Sequence, residues 1–251
     1  MSRLEAEERR AEAMAALDAV MDPELDAAVT QMGFIESLRV EGGSVEIAFR
    51  LPTFWCSANF AYLMALDMKL AVEALAWVER ADVRLVNHFA ASKINRGIAA
   101  GLNFKRVFGT EADGDLAELR RTFRQKAYFG RQERLLRALA ERWAPDRALA
   151  QTLADLRALA ASEDAEIRPL ALRYLSARLG EDLPTEPDSP AFLTPEGAAV
   201  PAAGYLAHLR TIRRIRGGAE ANAELCKIYL EARYAGVAPG MGTALERESG
   251  R

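Results

Sequence analysis

Cys56 is the residue best placed to do chemistry. It stands in Thr53-Phe54-Trp55-Cys56-Ser57, after a run with strand alternation and before a long apolar run with helical spacing. A thiol at such a junction meets backbone N–H groups and the positive end of a helix dipole. That place favours the thiolate, the form that binds iron or attacks electrophiles. The competing reading is a small buried hydrophobe beneath Phe54 and Trp55, because free cysteine is among the most buried residue types. The other cysteine, Cys226, lies 170 residues away at apolar spacing with Leu225, Tyr229 and Leu230, and reads as core. Two cysteines so far apart form neither a disulfide framework nor a CxxC metal knuckle.

Four further side chains could support Cys56. Asp22 in Asp22-Pro23-Glu24 can cap the following turn, with Pro23 at its first position and Glu24 near the positive end of the dipole. Alternatively, Asp22 or Glu24 lies beside Cys56 as an auxiliary oxygen ligand or proton acceptor. Thr53 either caps the hairpin exit or hydrogen-bonds the thiolate. His88 closes a strand in Asn87-His88-Phe89, where α/β sites tend to gather; it reads as a ligand or base, or as a hydrogen-bonded structural residue. Lys93 and Arg96 follow at a helix start and could hold an anion. The chain has no Walker loop, no GxGxxG, no Gly-x-Ser-x-Gly and no His-x-x-Glu-His signature.

These residues sit in a legible frame. Glu5 to Met21 has helical spacing, and Pro23 to Val29 reads as a short helical turn. Phe34 to Val40 and Val45 to Leu51 read as a hairpin around Glu41-Gly42-Gly43-Ser44, with Val45, Ile47, Phe49 and Leu51 on one face. Ala58 to Leu75 follows as a helix, Ala81 to Asn87 as a third strand and Ser92 to Leu102 as a helix. Beyond Gly109 the apolar residues recur three and four apart. Helices are expected over Leu116 to Tyr128, Glu133 to Trp143, Asp146 to Ala160 and Ile167 to Leu179, with stops at Gly130, Pro145 and Gly180. Tyr205 to Ile215 and Ala219 to Tyr234 complete the helices, and a glycine-rich tail begins at Gly236. Residues 181–200 hold four prolines and five acidic residues, so they read as an extended linker or wrapping arm. The fold class is α+β: a small α-β-β-α-β-α domain with a three-stranded sheet, then an all-helical C-terminal domain. The divisions are 1–110, 111–180, 181–200 and 201–251.

Composition narrows the partners. The net charge is −3, which argues against a nucleic-acid-binding domain. The basic runs Arg120 to Arg147 and Arg210 to Arg216 read as solvated helix faces with intramolecular pairing, or as a basic docking surface. No apolar run is long enough to span a bilayer, and the Arg/Glu-rich N-terminus lacks the apolar centre of a secretory signal. The expectation is a cytoplasmic protein with no membrane or nucleic-acid partner.

The order of motifs carries a resemblance. Asp22-Pro23-Glu24-Leu25, then Met32-Gly33-Phe34-Ile35, a hairpin, and Thr53-Phe54-Trp55-Cys56 opening a helix resemble the metal–sulfur cluster biosynthesis family. That family includes cytosolic iron–sulfur assembly factors and the D-type accessory proteins of phenylacetate oxygenase clusters. The resemblance covers about residues 10–95. Ser57 stands where the family usually has proline after the cysteine, and Trp55 where a small residue is common. The resemblance implies a metallocentre assembly or maturation factor, with Cys56 as metal ligand and a transient iron–sulfur cluster or iron as cargo. Asp22, Glu24, Thr53 and His88 would support it. A cluster normally needs four ligands, so a homodimer shares it, a client metalloenzyme or assembly protein supplies the rest, or the domain merely docks. The helical extension favours a dedicated client, such as an oxygenase. The alternatives are an adaptor that binds such an enzyme without handling metal, and an enzyme with Cys56 as nucleophile. The enzyme reading lacks a partner base near Cys56 in sequence.

Overall fold

The computed structural model describes residues 3–109, 116–217 and 219–235; the tail from Gly236 lies outside the described residues. The chain divides into two units, residues 1–119 with 218–251, and residues 120–217.

The first unit is built on a three-stranded sheet. Strands β3 (Ile35–Glu41) and β4 (Ser44–Arg50) form an antiparallel hairpin, with Val40 opposite Val45. The turn passes through Gly42 at φ +60°, a left-handed conformation that suits glycine. Strand β4 is central: β5 (Arg80–Val86) joins its other edge in parallel, with Ile47 opposite Val83. Parallel pairing requires a crossover, and α2 (Ala58–Glu73) supplies it. Val45, Ile47 and Phe49 alternate inward along β4 and are fully buried, the period-two pattern of a strand with one face on the core. Helices α1 (Arg3–Asp18), α2 and α3 (Ala91–Ala99) pack around the sheet.

Two local expectations are corrected here. Residues 23–29 are not a helical turn. The two-residue strands β1 (Met21–Asp22) and β2 (Ala27–Ala28) pair across a tight turn with Asp26 at φ +50°. The Asp22 carboxylate accepts from the N–H groups of Glu24 (2.8 Å) and Leu25 (2.9 Å), which holds the reversal that turns the chain back into β2. The helix expected to run to Leu102 ends at Ala99. A separate short helix, α4 (Phe104–Phe108), follows, capped by the Asn103 side chain on the Arg106 N–H.

The second unit is helical. Helix α5 (Leu116–Ala140) runs unbroken through Gly130, where a stop was expected. Gly130 has ordinary helical backbone; a Cβ there would lie 3.0 Å from the Arg216 side chain, so the glycine serves close approach rather than termination. The single helix expected over Asp146 to Ala160 is two, α6 (Pro145–Leu149) and α7 (Leu153–Ala160). Thr152 starts the second with a reciprocal capping box to Asp155. Helices α8 (Ile167–Leu179) and α9 (Tyr205–Arg216) complete this unit.

Residues 181–200 lie on that helical core. Ala191, Phe192 and Leu193 are buried. The Tyr174 hydroxyl donates to the Ala191 carbonyl at 2.8 Å, and the Gln132 amide donates to the Leu193 carbonyl at 3.2 Å. The basic residues pair within the unit: Arg137, Arg213 and Arg216 converge on the buried carboxylate of Glu133.

Helices α9 and α10 (Ala219–Tyr234) bury their apolar faces in different cores. Leu209 and Ile212 of α9 belong to the helical unit. Leu230 of α10 belongs to the core of the first unit, with Ala223, Cys226 and Tyr234 packed against it. Among the described residues, no helix is long and apolar enough to cross a membrane.

Candidate functional site

The site gathers where β4 and β5 end. Pro52 closes the ladder after β4, and the loop over residues 53–57 leads into α2, whose N-cap is Ser57. Cys56 sits one residue before that cap and is half-buried. The Thr53 hydroxyl lies 3.2 Å from Cys56 Sγ, a hydrogen-bond distance for sulfur. Thr53 therefore faces the thiol.

His88, at the end of β5, holds this loop by its backbone. Its Nδ1 accepts from the Ala90 N–H at 3.2 Å, which leaves the proton on Nε2, the donor to the Cys56 carbonyl at 2.8 Å. Phe89 adds a backbone bond to the Phe54 carbonyl at 3.1 Å. Burial pushes His88 below the usual histidine range; the Cys56 carbonyl works against that shift and the Arg233 guanidinium adds to it. Both ring nitrogens are engaged with backbone, one of them with the carbonyl of Cys56 itself. Arg96 donates to the Ser92 carbonyl, and Lys93 lies over the Phe108 ring.

Around Cys56 the surface is aromatic. Trp55 is 73% exposed, and Phe54 and Phe89 are also exposed. Trp55 stacks on Phe89 with centroids 5.3 Å apart and meets Phe54 edge-on at 4.9 Å. The expectation that Phe54 and Trp55 cover the cysteine is therefore corrected. They stand out into solvent, spending apolar area that a solitary domain would bury.

Asp22 is buried and Glu24 exposed. Burial raises the Asp22 carboxyl to about 6, despite the two N–H groups it accepts. Asp22 caps its turn, the structural reading of the Asp-Pro-Glu motif. The charges of Asp22, Glu24 and Cys56 all bear on one neighbour, Cys226 of α10. Burial first, and then these negative groups, push the Cys226 thiol up to about 11.

Cys226 reads as core from its spacing, and it packs against the core of the first unit. Sequence reasoning missed one residue of this region. Arg233 was not singled out. Its guanidinium donates to the carbonyls of Leu51 (3.2 Å) and Asn87 (2.7 Å), the ends of the two strands that carry Cys56 and His88. No local signal marks this role, because it arises from a helix 182 residues from Leu51 and 146 from Asn87 in sequence. Among the described residues, no group of three or more His, Cys, Asp or Glu side chains is arranged to hold a metal ion.

Residues 10–83 match a family model described as iron-sulfur cluster assembly protein. This segment is an iron–sulfur cluster assembly domain. The matched residues of the assembly domain include Asp22, Glu24, Thr53 and Cys56; His88, Cys226 and Arg233 lie beyond them. No curated protein matches the chain. The match supports a general role in iron–sulfur cluster assembly.

Proposed function

We propose that the chain is a maturation factor that holds iron or an iron–sulfur cluster transiently at Cys56 and delivers it to a dedicated client enzyme. The observation that carries this reading is the aromatic rim: a half-buried thiol, hydrogen-bonded with Thr53, opens beside three exposed rings, Trp55 stacked on Phe89 and met edge-on by Phe54. A resident cofactor is better served by a dry, closed pocket. A thiol at an exposed apolar rim can meet a second protein, and aromatic residues are favoured as the anchors of such contacts.

The donor set fits cargo rather than a permanent centre. Thiolates suit iron and its sulfide clusters, but one assembly domain with one thiol leaves most of the four cluster positions to other groups. Those positions are then available to the acceptor, which is how a cluster can leave. In this scheme Thr53 and His88 fix the thiol and its loop, Asp22 holds the adjacent turn, and Phe54, Trp55 and Phe89 take the client. An oxygenase is one such client class.

Anaerobic reconstitution with ferrous iron and sulfide, followed by absorbance spectroscopy, tests the reading. The wild-type chain should gain thiolate-to-iron bands in the visible range, and Cys56→Ser should lose them. Trp55→Ala should keep the bands but release the cluster more slowly to an apo-acceptor. If Cys56→Ser reconstitutes as the wild type does, the adaptor reading, in which the rim binds an enzyme without handling metal, takes its place.

A further inference from the structure

Arg50 closes β4 with its side chain on the face opposite the buried Val45, Ile47 and Phe49. That side chain is only 16% exposed, and its Nε and Nη1 are buried without a hydrogen-bond partner among the described residues. The Glu36 carboxylate, at the bulge in β3, stands 3.9 Å from Nη1, beyond hydrogen-bond reach. The Tyr234 ring of α10 covers one face of the guanidinium, its centroid 4.1 Å away. Stacking uses the face of a guanidinium and leaves its in-plane N–H fork free. Arg50 also borders an open cavity of about 310 Å³. Gln31 and Gly33, ahead of β3, line that cavity from the assembly domain, and Lys227, Glu231 and Tyr234 line it from α10. The three α10 residues are spaced i, i+4 and i+7, one face of a helix. Leu230 beside them is buried in the core, which fixes that face in place. A buried guanidinium with unmade hydrogen bonds is costly, and here it stands at the wall of a space that something can fill.

We infer that this cavity binds a small organic carboxylate that also carries an amino or hydroxyl group, its carboxylate held by the Arg50 fork. The inference does not rest on the maturation reading above. Three features select the class. The parallel N–H donors of a guanidinium match the two oxygens of a carboxylate. Glu36 beside Arg50 and Glu231 on the cavity wall offset the charges of Arg50 and Lys227. A doubly charged phosphate therefore meets no net positive site, whereas a carboxylate with its own donor group finds the Arg50 donors for its oxygens and the Glu231 carboxylate and Gln31 amide oxygen as acceptors. The volume is at the low end of ligand pockets, which run to roughly 300–1,000 Å³, so the occupant is small. Both the assembly domain and α10 line the cavity, so an occupant ties that helix to β4, whose next residue, Leu51, is already held by Arg233.

The test uses the full chain and two readouts. Thermal shift is followed against L-glutamine and L-lactate, with butyrate, inorganic phosphate and chloride at equal ionic strength as comparators. In parallel, arginines are labelled with phenylglyoxal, and the modified sites are located by mass spectrometry. Saturable stabilisation by glutamine or lactate is expected, because a ligand that binds only the folded chain raises its stability. Butyrate, which lacks the donor group, and phosphate should bind more weakly. The same glutamine or lactate should slow the labelling of Arg50. Arg50→Lys keeps a cation beside Glu36 but loses the fork, and should weaken binding about tenfold or more. The inference is overturned if neither probe binds saturably, if Arg50 labels equally with and without them, or if phosphate binds more tightly than both. Wild-type affinity in Arg50→Lys overturns it as well. The labelling result needs no variant, so it decides the matter even where Arg50→Lys does not fold.

Discussion

Asp22 shows how one side chain can be structurally useful and still cost stability. Its carboxylate accepts two turn N–H groups, yet burial raises its pKa from 3.8 to about 6. The folded chain therefore binds more protons than the unfolded chain between about pH 4 and pH 6, and stability falls as pH rises through that window. Above it the full penalty is present, at most about 3 kcal/mol at 1.36 kcal/mol per pKa unit. Asparagine keeps the accepting oxygen without the charge. Asp22→Asn should therefore stabilise the protein by about 1–3 kcal/mol at pH 7, with the gain vanishing near pH 4. Urea melts of both proteins at the two pH values measure this. His88 and His208, both held below the usual histidine range mainly by burial, act in the opposite sense. Their contribution is lost as pH falls below about 6.5, and it is common to both proteins, so it cancels in the comparison. An equal or lower stability of Asp22→Asn at pH 7 would contradict the buried-carboxylate account.

At the scale of elements, the parts with a strict period were legible and the parts set by distant contacts were not. The alternation from Val45 to Leu51 identified β4 and its inner face, because a half-buried strand leaves that pattern in any sequence. The loop with Thr53 and Cys56 was likewise visible from its place between a strand and an apolar helix. Gly130 misled because a glycine signals a stop only when its backbone leaves the helix; here it gives room to Arg216. Residues 23–29 mislead because the capping bonds of Asp22 open a helix and a tight turn alike; here Asp26, at φ +50°, turns the chain back into β2. Arg233 is illegible because its role depends on where α10 comes to rest. The residues from 181 to 200 carry their own prediction. Four prolines suggest an exposed, cuttable chain, but the Tyr174 hydroxyl and Gln132 amide tie this segment to helices α8 and α5. Native wild-type protein should resist proteolysis there. Tyr174→Phe leaves the Ala191 carbonyl and the Gln132 amide each short of a partner, a loss of about 1–3 kcal/mol. Limited proteolysis with mass readout should then show early cuts within 181–200; equal cutting of both proteins would show that the arm is held by apolar burial alone.

For the whole molecule, the chain pairs an assembly domain with a helical unit, residues 120–217, that interrupts the sequence of the first unit. The first unit is completed by α10 after that interruption. Its central claim is that Cys56 carries iron bound by sulfur. The most direct measurement is Mössbauer spectroscopy of the full chain, expressed in cells grown on iron-57 and purified without oxygen. The account predicts a signal of tetrahedral, sulfur-coordinated iron in the wild type and its loss in Cys56→Ser at equal protein concentration. Wild-type protein without such iron, or the same iron signal in Cys56→Ser, would contradict it.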